Sequence, residues 1–248
     1  LTIEKMIKKL VLLFLSFFDY FHQKKIIKFL KKNSLSEINL IFDVGAHKGE
    51  SINLFLKNMK VKNIVSFEAS PLNFKFLENN KKNLEKKFPN TKIIIENLAL
   101  SSDGRVVTFN QFNESSSSTI NNINQESRYF KRKFNLLNLR NKKKIYESFK
   151  LKTETLDNYI YQNNFNRISF LKIDTEGYEY EILIGLKKRI KSVDTIMFEH
   201  HYDNMIIKEY TFSDINYLLK KNDFYQVFKS RMPFRKSFEY IYRRNAID

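Results

Sequence analysis

Short apolar runs alternate with amphipathic segments along most of this chain, and that alternation limits the possible folds more than any other feature. Parallel strands need long crossover connections, so repeated strand–helix units predict an α/β fold, a mostly parallel sheet covered by helices on both faces. The predicted helices cover residues 51–60, 71–87, 156–162, 178–186 and 213–221. The predicted strands cover residues 39–44, 63–68, 92–100, 106–109, 168–173, 193–198, 224–228 and 238–242.

Length and composition indicate one main domain adapted to a reducing compartment. A chain of 248 residues with 42% hydrophobic content can fill the core of one large α/β domain. Cysteine is absent, which excludes disulfides, thiolate metal sites and a cysteine nucleophile, and predicts a cytoplasmic location. We predict a main domain over residues 39–248, preceded by a helical extension over residues 1–38.

The extension contains an apolar stretch at residues 10–18, directly after Lys8 and Lys9. This stretch is shorter than the roughly 20 apolar residues that cross a bilayer, and no small-residue cleavage site follows it. We favour a helix packed on the main domain. The alternative is a helix on a membrane surface, with the eight lysines of residues 1–33 near the headgroups. We expect residues 1–33 to be dispensable for ligand binding.

The segment at residues 41–57, IFDVGAHKGESINLFLK, reads as a strand end, a glycine turn and a helix. Its G-x-x-x-G spacing has His47 where a dinucleotide-binding fingerprint carries its middle glycine. Asp43 would repel a diphosphate but suits a ligand with an amino group and a sulfonium. Glu68 ends the next strand, where its carboxylate can accept hydrogen bonds from both ribose hydroxyls. These features favour an adenosyl ligand with a cationic tail over a nicotinamide dinucleotide.

Six segments resemble, in order and approximate spacing, the FkbM-type S-adenosylmethionine-dependent methyltransferases. They are DVGAHKGES (43–51), FEASPLNFKFLENN (67–80), NLALSSDG (97–104), ESSSST (114–119), TLDNY (155–159) and FLKIDTEGYEYEILIG (170–185). The resemblance implies a Rossmann-like class I methyltransferase fold, with a seven-stranded mostly parallel sheet whose last strand is antiparallel. It also implies S-adenosyl-L-methionine as cofactor and methyl transfer to hydroxyl groups, on sugars of surface glycans or on secondary metabolites.

The same resemblance implies a set of cofactor contacts. Its motifs place the glycine turn at the methionine end, the end of the second strand at the ribose, and the end of the third strand beside the adenine. The residues concerned are Asp43, Gly45, Ala46, His47, Gly49, Glu68, Ala69, Asn97 and Ala99. This chain departs from the family pattern at two of them, because the family more often has asparagine at the position of His47 and proline at that of Ala69.

A sugar hydroxyl is a poor nucleophile, so methyl transfer to it needs a group that accepts its proton. The candidates lie at the ends of the predicted strands 168–173 and 193–198. They are Asp174, Glu176, Glu199, His200 and His201. Histidine titrates nearest neutral pH, so we predict His200, or else His201, as the base. Asp174 or Glu176 would orient the base or the acceptor, and a carboxylate in an apolar pocket is the alternative base.

Lys172 lies on the same face as Asp174 in a strand that should be central. A buried ammonium there needs a carboxylate partner, which Asp43 or Glu199 can supply, so we predict that Lys172 organises the site electrostatically. No fixed metal-ligand spacing is present, and we predict no metal site. Carboxylates and histidines at this edge nevertheless permit a divalent cation on the acceptor oxygen.

The net charge of +17 predicts attraction to an anionic partner, and the charge is dense in a predicted insert at residues 115–152. Ten residues of the stretch 128–152 are basic and only Glu147 is acidic. We expect a small-molecule or glycan acceptor, with a nucleotide-linked or lipid-diphosphate-linked sugar as the anionic form. The alternatives are a nucleic-acid-binding protein or RNA methyltransferase and, less favoured, an NAD-dependent oxidoreductase. Aromatic residues are not interleaved with the basic run, which disfavours nucleic acid.

Overall fold

The structure, a computed structural model, describes residues 2–33, 35–112, 118–136 and 145–245. Its helices are α1 (Thr2–Lys32), α2 (Glu50–Asn58), α3 (Pro71–Lys87), α4 (Arg128–Leu136), α5 (Leu156–Gln162), α6 (Glu179–Ile184) and α7 (Phe212–Lys221), with a 3-10 helix at Lys187–Ser192. Its strands are β1 (Glu37–Val44), β2 (Lys60–Phe67), β3 (Lys92–Glu96), β4 (Ala99–Leu100), β5 (Val106–Phe112), β6 (Asn122–Ile123), β7 (Tyr146–Glu154), β8 (Phe170–Ile173), β9 (Thr195–His201), β10 (Ile206–Ile207), β11 (Phe224–Arg231) and β12 (Ser237–Arg244).

A seven-stranded sheet in the order β11-β12-β9-β8-β1-β2-β3 confirms the predicted fold class. The run from β9 to β3 is parallel, whereas the last strand, β12, is antiparallel to both β9 and β11. Phe42 and Val44 of β1 pack in one buried apolar cluster and Ile41 packs in a second, so both faces of the sheet are covered. The carboxyl ends of β1, β2, β8 and β9 therefore meet at one edge, where α/β sheets bind ligands.

The helix after β2 begins where the sequence supplies a cap. The Ser70 hydroxyl accepts a hydrogen bond from the Asn73 backbone N–H at 3.0 Å, and Pro71 occupies the first turn of α3. Both features are typical of a helix N-terminus. The cap fixes the loop that follows β2, and this loop carries Glu68 to the ligand-binding edge.

The predicted strand at residues 92–100 is divided into β3 and β4. Between them, Asn97 Nδ2 donates a hydrogen bond to the Glu68 carbonyl oxygen at 2.8 Å. The chain leaves the central sheet at this point, and β4 pairs instead with β7, which also pairs with β5 in a separate three-stranded sheet. The hydrogen bond from Asn97 therefore ties the end of β3 to the end of β2.

The basic stretch 128–152, for which we predicted no regular element, contains α4 and most of β7. The strand was hidden because much of β7 is exposed, with Lys150 and Lys152 turned to solvent, so few apolar residues mark its alternation. Residues 115–117 of the predicted serine motif lie outside the described residues. Ser118 is described, and its hydroxyl accepts a hydrogen bond from the Phe112 backbone N–H at 3.1 Å.

Helix α1 joins the main domain through its second half. Ile26, Ile27 and Leu30 are buried in the apolar cluster that also holds Ile41 of β1. Among the described helices, none has an apolar stretch long enough to pass through a bilayer. The predicted boundary at residue 38 falls inside β1. Only four residues separate the end of α1 at Lys32 from the start of β1 at Glu37.

Candidate active site

A cavity of about 980 Å³ lies at the carboxyl ends of the parallel strands, in the upper part of the range of about 300–1,000 Å³ usual for ligand sites. Helix α1 and the turn between β11 and β12 close one side of it. The predicted site residues that line it are Gly45, Ala46, His47, Glu68, Ala69, Lys172, Asp174, Glu176, Glu199 and His201. Those that do not line it are Asp43, Gly49, Asn97, Ala99 and His200.

The turn after β1 is shaped by a glycine that no other residue can replace without movement. Gly45 has φ +82°, and a Cβ atom there would overlap the carbonyl oxygen of Asp174. Its N–H donates to the Phe67 carbonyl oxygen at 2.9 Å, which brings the turn against the end of β2. Gly49, at φ +95°, instead opens α2 against Leu77 of α3. Gly45 therefore forms the cavity floor, and Gly49 serves helix packing.

Glu68 is buried and holds the loop after β1 and the loop after β2 together. Its carboxylate accepts hydrogen bonds from the backbone N–H groups of His47 at 2.7 Å and Ser70 at 2.9 Å. Burial raises the pKa of Glu68, and those hydrogen bonds oppose the rise. Asn73 lies beside it, and its Oδ1 atom has no hydrogen-bond partner in the described chain. An acceptor without a partner next to a carboxylate fits a ligand that brings hydroxyl donors, such as a ribose.

Apolar residues form the wall expected beside the adenine, but they are not the predicted ones. Leu98 and Leu100 line the cavity, whereas Ala99, between them, does not. The side chain of Asn97 is engaged with the Glu68 carbonyl oxygen. Successive side chains on an extended chain point to opposite sides. The residues that line the cavity, Leu98 and Leu100, therefore each follow a predicted contact by one position.

Asp43 and Lys172 form a buried pair beneath the cavity. Lys172 Nζ lies 3.2 Å from Asp43 Oδ1 and 3.4 Å from Asp174 Oδ2, and the Ser51 hydroxyl donates to Asp43 Oδ2. Burial alone would lower the pKa of Lys172, but the charges of Asp43 and Asp174 outweigh it and raise that pKa. The predicted pairing of Lys172 with Asp43 is therefore present. Because Asp43 is fully occupied there, Asp174 is the carboxylate that faces the cavity.

Acidic side chains surround His201 at the end of β9. His201 Nε2 lies 3.3 Å from Glu199 Oε1 and 3.4 Å from Glu176 Oε2, and Nδ1 lies 3.5 Å from Asp203 Oδ2. Nε2 is buried and forms no aligned hydrogen bond with any described residue, although His201 lines the cavity. This cluster places titratable groups at the cavity.

The Glu199 carboxyl and the His201 imidazole both hold protons more tightly than usual. Burial is the main cause that raises the pKa of Glu199, opposed by the charge of His201 and reinforced by Asp174. Burial would lower the pKa of His201, but the charges of Glu199 and Glu176 outweigh it and raise that pKa. Groups this close titrate as one unit, so the proton affinity belongs to the Glu199–His201 pair.

His200, our first choice of base from the sequence, lies on the opposite face of β9. Its ring packs 4.8 Å from the Tyr202 ring and 5.8 Å from the Phe212 ring, measured between centroids. Burial lowers the pKa of His200 to about 3, which keeps the imidazole neutral. His200 does not line the cavity, whereas its neighbour His201 does.

Two polar side-chain contacts between distant parts of the chain form a wall of the cavity that the sequence did not predict. His22 Nε2 of α1 lies 2.7 Å from Glu239 Oε2 of β12, and Arg235 donates to Asp19 Oδ2 at 2.9 Å. All four side chains line the cavity. The signal available in the sequence was Asp19 and His22 directly after the apolar stretch at residues 10–18.

Basic and phenolic groups complete this half of the cavity. Arg132 and Tyr129 of α4 line it together with Arg235, so the cavity lining carries cations as well as the carboxyl groups of Glu199 and Glu239. Within the described residues, no group of three or more histidine, aspartate or glutamate side chains is arranged to hold a metal ion. The site thus has an apolar half next to Glu68 and a highly charged half next to His201.

Comparisons with known proteins agree with this architecture. The family model described as "Methyltransferase FkbM domain" matches residues 43–225. A crystal structure of methyltransferase FkbM from Methylobacillus flagellatus KT is similar at 14% identity and a TM-score of 0.54 over 84% of this chain. The chain spans only 44% of the length of that relative.

Two further solved structures share the fold. Magnesium protoporphyrin IX methyltransferase from Synechocystis PCC 6803, with bound SAH, has 7% identity and a TM-score of 0.51, covering 93% of this chain and 85% of its own. A protein in the NADB-Rossmann superfamily from Streptococcus agalactiae has 11% identity and a TM-score of 0.50, covering 91% and 68%. No curated protein sequence matches the chain. At these identities the structural similarities establish the fold alone.

Proposed function

The chain belongs to the FkbM family of S-adenosylmethionine-dependent methyltransferases, and from that membership we propose that it methylates a hydroxyl oxygen of a sugar, on a glycan or on a secondary metabolite. The observation that carries the proposal is the position of His201, which lines the cavity and has its Nε2 atom 3.3 Å from Glu199 Oε1 without an aligned hydrogen-bond partner in the described chain. A polar group in this state suits an acceptor hydroxyl.

The apolar half of the cavity next to Glu68, called here the cofactor half, fits S-adenosyl-L-methionine by the chemistry of its walls. Leu98 and Leu100 offer an apolar surface to the adenine, and Glu68 with Asn73 Oδ1 offers acceptors to the ribose hydroxyls. Asp174 is placed to meet the positive charge of the methionine end. When bound, the cofactor supplies a methyl group already activated by the sulfonium.

The chain's own contribution is to align the acceptor and remove its proton. Methyl transfer would leave the acceptor oxygen with a proton to lose, so the residues of the cavity have to supply a group that takes it up. The Glu199–His201 pair receives the hydroxyl proton, since its proton affinity lies nearer to neutral pH than that of a free carboxylate. The α1 and β12 wall excludes water from the reacting atoms.

The charged half of the cavity next to His201, called here the acceptor half, favours a polyhydroxylated molecule that also carries negative charge. Carboxylates of Glu199 and Glu239 accept hydrogen bonds from sugar hydroxyls, whereas Arg132, Arg235 and the hydroxyl of Tyr129 suit a phosphate. We therefore propose a nucleotide-linked or lipid-diphosphate-linked sugar as acceptor, in the cytoplasm. Family membership argues against an NAD-dependent oxidoreductase, and no described feature favours RNA over a sugar.

Calorimetry and a transfer assay test this function together. The full chain would be titrated with S-adenosylhomocysteine, NAD and a short RNA, then incubated with S-adenosylmethionine and a panel of nucleotide-linked and lipid-linked sugars. We expect binding of S-adenosylhomocysteine and the mass gain of one methyl group on a sugar hydroxyl. Binding of NAD in its place, or methylation confined to RNA, would overturn the proposal.

We predict that Glu68→Gln weakens binding of S-adenosylhomocysteine by about 1.5–3 kcal/mol, the usual contribution of a charged hydrogen bond. The amide keeps the shape of the side chain but loses the negative charge that accepts the ribose hydroxyls. Titration calorimetry measures the change. Glu78→Gln on the exposed side of α3 is the matched control, for which we expect the affinity of the unaltered chain. Equal affinity for both variants would contradict the ribose assignment.

A further inference from the structure

One side of α1 carries an uncovered stripe of large apolar residues. Each is between 50% and 58% exposed, and they recur at intervals of one, three or four residues, so they share one side of the helix. The stripe, called here the α1 stripe, consists of Met6, Leu10, Leu13, Phe14, Phe17, Tyr20 and Phe21. No described residue outside the helix buries it. A contiguous apolar surface made of seven large side chains marks an interaction site.

The opposite side of the same helix is already used by the domain. Leu15 and His22 line the cavity, while Ile26 and Leu30 are buried in the core. The α1 stripe therefore points away from the protein body. Its exposure follows from the way the helix is anchored, so it remains available to a partner from outside.

An aromatic residue from a distant turn extends this surface. Phe234, between β11 and β12, is 63% exposed, and its ring centroid lies 5.0 Å from that of Phe18 and 5.5 Å from that of Phe14. Arg231 and Lys236 flank it and are exposed. Two chain segments more than 200 residues apart thus present aromatic rings together, with cations beside them.

Positive charge continues the same line of the helix. Lys24 and Lys28 follow Tyr20 at four-residue steps and are exposed, and Lys24 Nζ lies 4.6 Å from the centre of the Tyr20 ring. Aromatic residues followed by lysines are typical of helices that lie in the headgroup region of a membrane. The net charge of +17 opposes contact with a second copy of the chain and favours an anionic surface.

We propose that the α1 stripe and Phe234 dock on the surface of an anionic lipid bilayer, with α1 lying in the plane of the headgroups. The aromatic rings enter the boundary between headgroups and acyl chains, and Lys24 and Lys28 contact lipid phosphates. Phe234 also lines the cavity, so docking brings the acceptor half next to the lipid surface. That last consequence rests on the proposed function, whereas the docking does not.

Vesicle co-sedimentation of the full chain tests the docking. The vesicles contain phosphatidylcholine alone or with phosphatidylglycerol, and the variant is Phe17→Glu with Phe21→Glu, neither of which lines the cavity. Its matched control is Tyr161→Glu with Tyr217→Glu, two aromatic residues of other helices that are 67% and 69% exposed. Both pairs change the net charge equally. We expect the α1 pair to lower partitioning onto anionic vesicles by more than about tenfold, and the control pair to lower it much less.

Equal losses in the two pairs would overturn the proposal, because charge alone would then explain binding. Self-association of the unaltered chain that the α1 pair abolishes, measured by light scattering without vesicles, would identify a second copy as the occupant and also overturn it. Circular dichroism shows whether each variant is folded, and Phe17→Ser with Phe21→Ser replaces the α1 pair if it is not. An unaltered chain that binds vesicles but not S-adenosylhomocysteine would overturn the proposed function and leave the docking intact.

Discussion

Removal of residues 1–33 is expected to abolish the cooperative fold of this protein. The deletion takes away Ile26, Ile27 and Leu30, which are buried in the core against β1 and α2. Burying one such side chain stabilises a protein by about 1.5–3 kcal/mol, so the three together contribute about 4.5–9 kcal/mol. That sum is comparable with the whole free energy of unfolding of a typical domain, about 5–15 kcal/mol. The deletion also leaves Glu239, mostly buried, without the His22 ring.

Urea denaturation followed by circular dichroism measures this effect. A chain that begins at residue 13 is the control, because it keeps the anchored half of α1 and is expected to unfold at the same urea concentration as the full chain. A chain from residue 34 with an unchanged unfolding midpoint would show that α1 is the dispensable extension expected from the sequence. The structure argues against that expectation for the second half of the helix only.

Glu199→Gln is expected to lower kcat for methyl transfer by about 10²–10⁴, the usual contribution of a general base. The amide cannot take up the hydroxyl proton, while the size of the side chain and the cofactor half of the cavity are unchanged. Binding of S-adenosylhomocysteine should therefore remain, which separates loss of catalysis from loss of folding. Full turnover in this variant would mean that alignment of the acceptor alone carries the rate.

The neighbouring histidines provide the comparison that tests the geometry. His201→Gln should reduce turnover, because it removes one member of the titrating pair. His200→Gln should alter stability more than turnover, because its ring packs among Tyr202, Tyr210 and Phe212 outside the cavity. A large loss of turnover in His200→Gln with little loss in His201→Gln would restore the sequence prediction and refute the structural assignment.

The pH dependence of the reaction follows from the same pair. In the proposed mechanism the ionised form of Glu199 accepts the proton, and burial raises the pKa of this carboxyl above that of an ordinary carboxylate. The rate should therefore be low in acid and rise through a pH range above the usual carboxylate range. In Glu199→Gln this rising limb should be absent from the profile of kcat against pH.

The sequence by itself determined the fold and which strand ends form the cavity, but two of the contacts that it implied there, Asn97 and Ala99, do not line it. Strand and helix patterns are local, because each depends on the spacing of apolar residues within one segment. In a parallel sheet the carboxyl ends of the strands meet at one edge. The strand pattern of the sequence is therefore enough to assign Gly45, Glu68 and Asp174 to that edge. The Asp43–Lys172 pair was predictable for the same reason, since both residues lie in central neighbouring strands.

The tertiary structure alone decided which of two neighbouring residues faces the cavity and what closes it. All seven residues of β9 are buried, so no polar–apolar alternation reveals whether His200 or His201 points inward. The wall of the acceptor half joins His22 to Glu239, 217 residues apart along the chain. Contacts at that separation depend on how α1 packs across the finished sheet, and local sequence patterns carry no information about such packing.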